Sequence, residues 1–104
     1  MLNPLSRALK VIVARAKPNK VILFGSRVSG NSRKDSDYDL LVLKKGTKKN
    51  RAVTQDIYRH LRNIGAPVDI IVADLTKYER LKSDPYLIYI QAAKYGKVVY
   101  EKSR

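Results

Sequence analysis

The sequence predicts an α/β fold, a small mixed β-sheet packed with helices. Short apolar runs at 20–24, 37–43 and 67–73 are bounded by turn residues, as strands are. Residues 4–17 and 48–63 carry apolar side chains at helical spacing. The link from the first apolar run to the second is short, whereas a whole helix separates the second from the third.

"NPLSRALKVIVARA" opens with Asn3 as N-cap and Pro4 at the first helical position, where its missing N–H costs nothing. Leu5, Leu9, Ile12 and Ala16 then mark one face of a helix over 4–17, and Pro18-Asn19 stops it. "KVILF" is a buried strand ended by Gly25. "DYDLLVL" is a second strand, with Asp37 and Asp39 on one face and Tyr38 and Leu40 on the other. Val53, Ile57, Leu61 and Ile64 define a helix over 48–63 capped by Gly65, and "PVDIIVA" is a third strand. A short helix at 75–82, a helix at 85–95 and a last strand, "KVVYE", complete the pattern.

Strand, helix and strand over 37–73 form a right-handed βαβ unit with parallel strands. Ten residues between Ser26 and Asp37 are too few for a parallel crossover, so the first two strands are expected to be antiparallel. The 104 residues suit one domain spanning 1–104. No apolar run approaches the roughly 20 residues of a membrane helix, so no membrane association is expected. The absence of cysteine excludes disulfides, thiolate metal sites and a cysteine nucleophile. No secretory signal is seen, which favours the cytoplasm. Residues 1–34 hold eight Lys/Arg and no acid, as a transit peptide would, but cleaving them would remove Gly25-Ser26. The net charge of +13 suits attraction to polyanions or to an acidic protein, and equally a solvated, solubilising surface.

Against that basic background, "FGSRVSGNSRKDSDYDLLV" gathers Asp35, Asp37 and Asp39 within five residues. The predicted strand directions bring Gly25-Ser26, Asp37, Asp39 and Asp69 to one edge of the sheet. Carboxylates facing a phosphate-sized loop need a cation between them. Hard oxygen ligands with open positions suit Mg²⁺, which takes a few carboxylates plus substrate phosphates. Taken singly, Gly25-Ser26 is an ordinary turn, Asp37 a cap and Asp69 a strand start; it is the convergence that points to a metal–phosphate site. Asp35 reads as a turn former, and His60, on the polar side of its helix, as solvated.

This order of residues resembles the minimal nucleotidyltransferases of the polymerase-β-like superfamily. Their signature is an apolar residue, Gly-Ser, about ten residues, Asp-x-Asp, and a third carboxylate on a later strand. Here it stands as Phe24-Gly25-Ser26, then Asp37-Tyr38-Asp39-Leu40, then Asp69 in "PVDIIV". The loop keeps Arg27 and Gly30 of the family's Gly-Ser-Arg-Ala-Arg-Gly but has Ser29 where the second arginine stands. The resemblance implies a polymerase-β-like nucleotidyltransferase fold and nucleotidyl transfer from ATP. It implies Asp37, Asp39 and Asp69 as catalytic and metal residues for two Mg²⁺ ions, and Gly25, Ser26 and Arg27 as phosphate binders.

Small chains of this group resemble the antitoxin half of paired modules whose partner is a helical HEPN ribonuclease. The implied reaction moves AMP from ATP to a tyrosine of that toxin. The segment "PYLIYIQAAKY", 85–95, is apolar almost all round, which fits either a partner-facing helix or one sandwiched in the core. Three alternatives stay open: a free-standing transferase acting on a small molecule or an RNA end, a non-catalytic partner-binding module, and a nucleic-acid binder. The last explains the charge but not the three aspartates, and no aromatic–basic stacking motif supports it.

Overall fold

A computed structural model describes residues 3–25, 37–81 and 96–102. Helix α1 (Pro4–Ala16) leads into β1 (Lys20–Phe24); β2 (Tyr38–Lys44), α2 (Asn50–His60), β3 (Val68–Asp74), α3 (Leu75–Leu81) and β4 (Lys97–Glu101) follow. The predicted helix at 85–95 and the residues Ser26, Arg27 and Asp35 lie outside the described residues.

The start of α1 forms as its sequence dictates. Asn3 is extended, its side chain accepts the Ser6 N–H at 2.8 Å, and Pro4 fills the first turn. At the other end Lys17 turns left-handed (φ 49°) and returns its N–H to the Val13 carbonyl.

Among the described residues, four strands lie in the order β3-β2-β1-β4. Strand β1 runs antiparallel to both β2 and β4, while β2 and β3 are parallel, so the sheet is mixed as expected. The alternation of side chains along the strands divides two cores. On one face Val21, Leu23, Leu40, Val42, Ile70 and Val72 meet Ala8, Ile12 and Ala16 of α1 and Ile57 of α2. On the other, Ile22, Phe24, Leu41, Leu43 and Ala73 meet Tyr78 of α3. Each fully buried Leu or Ile contributes about 1.5–3 kcal/mol by leaving water. A core on both faces is why β1 and β2 read as continuous apolar runs.

The second helix is shorter than its periodicity implies. It ends at His60, Leu61 caps it in an extended conformation, and Asn63 (φ 56°) and Gly65 (φ 95°) shape the loop that follows. Gly65 therefore serves the turn into β3 and not the helix end. Leu61 and Ile64 continue the apolar period because they still pack on the core from outside the helix. Among the described residues, no helix is long and apolar enough to cross a membrane.

Candidate active site

The last residue of β1, Phe24, pairs with Asp39 of β2, and Asp39 is aligned with Asp69 of β3. Three strands thus place one residue each in a row across the sheet, with neighbouring strands about 4.8 Å apart. Asp37 stands just before β2, two residues ahead of Asp39 and not in the strand the sequence predicted for it, and its charge reaches Asp39. By parity, Asp39 and Asp69 share the face that carries Phe24 and Leu41, away from α1 and α2.

Gly25 follows Phe24 with φ +81°, a conformation that L side chains rarely adopt. Glycine is required there for a second reason. A Cβ at this position would run into the Asp39 carboxylate, whose Cγ would lie only 3.2 Å from it. The Asp39 carboxylate therefore closes over the bare backbone at the end of β1. The Tyr38 N–H donates to the Pro67 carbonyl at 3.0 Å, which extends the β2–β3 alignment to the mouth of the site.

Asp39 is half-buried, whereas Asp37 and Asp69 are exposed. Burial pushes the Asp39 carboxyl above its usual range, and the neighbouring charges of Asp69 and then Asp37 push the same way. Both neighbouring acids thus lie close enough to act on Asp39.

These donors fit Mg²⁺: they are hard oxygens, one of them is held against a glycine, and their mutual repulsion is relieved by a divalent cation. They form an open row and not a closed cage. Among the described residues, no group of three or more His, Cys, Asp or Glu makes a ready-made metal site.

His60 is exposed, and its Nδ1 lies 2.8 Å from the Asp56 carbonyl oxygen within its own helix. A hollow of about 260 Å³, lined by Tyr58, Leu61, Ile64, Gly65, Ala66 and Val68, flanks the start of β3. None of the three acids lines it.

Two contacts, one beside Asp69 and one on the loop before β3, were not foreseen in the sequence. The Tyr58 hydroxyl accepts the Ile70 N–H at 2.7 Å, and Arg7 Nη1 donates to the Asn63 carbonyl at 3.2 Å. Both join residues far apart in the chain through atoms that no periodicity marks.

Residues 7–104 match the family model described as "Polymerase beta, Nucleotidyltransferase". No curated protein matches the chain. Among solved structures, a chain from a toxin–antitoxin crystal structure with AMP-PNP is similar in fold, with TM-score 0.68 and 23% identity over 98% of this chain and 76% of that one. A Sulfolobus solfataricus protein solved at 1.40 Å and described as a candidate nucleotidyltransferase has TM-score 0.57 and 21% identity, over 92% of this chain and 88% of that one.

Proposed function

Given that the chain belongs to the polymerase β nucleotidyltransferase family, we propose that it transfers AMP from ATP to a tyrosine hydroxyl of a helical HEPN ribonuclease, and so acts as an antitoxin. The observation that carries the reaction type is the Asp39–Asp69 pair aligned across β2 and β3 beside Gly25. The fold similarity to a chain from a toxin–antitoxin structure with AMP-PNP supports the partner and the nucleotide. We read residues 1–104 as one nucleotidyltransferase domain acting in the cytoplasm.

In this reading Gly25 lets the triphosphate approach the backbone where any side chain would block it. Ser26 offers a hydroxyl and an N–H to phosphate oxygens, and Arg27 a guanidinium. Asp37, Asp39 and Asp69 would hold two Mg²⁺ ions, which supply neutralisation of charge on the phosphate oxygens. The acceptor hydroxyl oxygen forms a bond to the α-phosphorus as the bond to the bridging oxygen breaks. Pyrophosphate leaves with that electron pair. Asp69, the most exposed of the aligned pair, takes the proton of the incoming hydroxyl.

The test is to express the chain with its candidate toxin and incubate the complex with Mg²⁺ and ATP labelled at the α-phosphate. One adenylyl group should appear on a toxin tyrosine, and an Asp39→Asn chain should leave the toxin unlabelled. Label on RNA, or none on the toxin, would overturn the acceptor assignment.

A further inference from the structure

Among the described residues, β3 is one of the two outer strands of the sheet, held by β2 on one side. Its other side meets side chains of α2. There the Tyr58 hydroxyl accepts the Ile70 N–H at 2.7 Å, one residue beyond Asp69. An outer-strand N–H of this kind would otherwise be satisfied by water, which fixes nothing.

We propose that Tyr58 is the positioning residue for Asp69: its hydroxyl anchors the Ile70 amide and so sets the direction of the neighbouring carboxylate. The inference rests on the nucleotidyltransferase reading of the site and adds to it the group that orients its third acid.

The local backbone explains why an anchor is needed. Asp69 is exposed, so packing does not hold its side chain. The loop leading to it contains two left-handed residues, Asn63 and Gly65, and ends only one residue before β3. On the β2 side, the Tyr38 N–H and the parallel ladder hold the strand at Pro67 and beyond. On the open side, the Tyr58 bond falls beside Asp69. The peptide between Asp69 and Ile70 is thereby gripped from both sides, and its orientation fixes the Cα–Cβ direction of Asp69. Tyr58 itself stands on a helix that packs on the sheet through Ile57, fully buried next to it, so the hydroxyl has a firm base. Tyr58 as a whole residue is 43% exposed, so it is not a core residue.

Hydrogen bonds made directly to metal ligands change metal affinity by roughly 10–100-fold when removed, and a bond that orients only the ligand's backbone belongs at the low end of that range. The test compares the wild-type chain with Tyr58→Phe and Asp69→Asn, using Mn²⁺ with α,β-methylene ATP as the probe. Mn²⁺ binding is followed by electron paramagnetic resonance, and exchange of the Ile70 amide by NMR. Tyr58→Phe keeps the ring and removes one oxygen. It should speed Ile70 exchange, weaken Mn²⁺ binding about tenfold, and leave nucleotide binding without divalent ion unchanged. Mn²⁺ binding by Tyr58→Phe equal to wild type, while Asp69→Asn loses it, would overturn the positioning role and leave the site intact. A Tyr58→Phe chain too unstable to assay would also overturn it, because the bond would then be holding the fold. If Asp69→Asn also binds Mn²⁺ normally, it is the reading of the site itself that fails.

Discussion

Asp39 and Asp69 stand side by side on parallel strands, and the carboxyl of Asp39 is held above its usual range. Burial contributes most, then Asp69, then Asp37. A folded-state pKa raised above the unfolded value means that ionising Asp39 opposes folding. The loss begins as pH rises past the unfolded value of about 3.9 and is complete above the folded value. At neutral pH without divalent ions, Asp39→Asn should therefore raise the melting temperature. The same variant should have lost transfer. Equal or lower melting temperature in EDTA would show that the acids do not strain one another.

Gly25 and Gly46 offer a matched comparison. Both have positive φ, +81° and +76°, but a Cβ on Gly46 meets nothing within 4 Å, whereas one on Gly25 meets the Asp39 carboxylate. Each alanine substitution carries the left-handed penalty of about 1–2 kcal/mol. Only Gly25→Ala should also displace Asp39 and abolish nucleotidyl transfer. Thermal melts paired with transfer assays check this; an active Gly25→Ala chain would remove Asp39 from the site.

Asp74 shifts the other way. It closes β3, and its carboxylate accepts the Lys77 N–H at 2.9 Å and the Gly46 N–H at 2.8 Å, which lower its pKa. Its stabilising contribution is present above the unfolded value of about 3.9 and is lost as pH falls through the depressed folded value. Asp74→Ala should thus melt lower than wild type at pH 7, and the gap should close toward pH 3. A gap independent of pH would mean that the two amide bonds contribute nothing specific to the ionised form.

Strand directions and the edge where the acids meet were legible because they follow from short-range facts. Ten residues cannot make a parallel crossover, a helix between 37–43 and 67–73 forces one, and alternation puts Asp37 and Asp39 on one face. The end of α2 was not legible. Leu61 and Ile64 keep the apolar rhythm while leaving the helix, since burial rewards their contact with the core and not their dihedrals. Nor could Tyr58 be found beforehand. Its partner is an ordinary backbone amide twelve residues on, and no side-chain type at Ile70 advertises it.

The basic run "KKGTKKNR", 44–51, looks like a natural collector of ATP, yet the structure places its start far from the acids. Lys44 aligns with Asp74 at the end of β3, whereas Asp39 aligns with Asp69 at the other end. Five residues at ~3.3 Å each separate Asp39 from Lys44 by roughly 16 Å, about twice the ~8 Å screening length at physiological salt. Lys44 is also committed elsewhere: it is part-buried, and its Nζ donates to the Ala16 carbonyl at 2.8 Å, tying β2 to the end of α1. Its removal would test the fold as much as the charge. The informative variant is therefore Lys45→Gln, Lys48→Gln and Lys49→Gln together. It should leave the Michaelis constant for nucleotide within about twofold, since only weak steering is lost. Any defect should appear in binding to the partner or to RNA, and should fade with added salt. A tenfold rise in that constant at physiological salt would mean that these lysines reach the acids from the far end of the sheet.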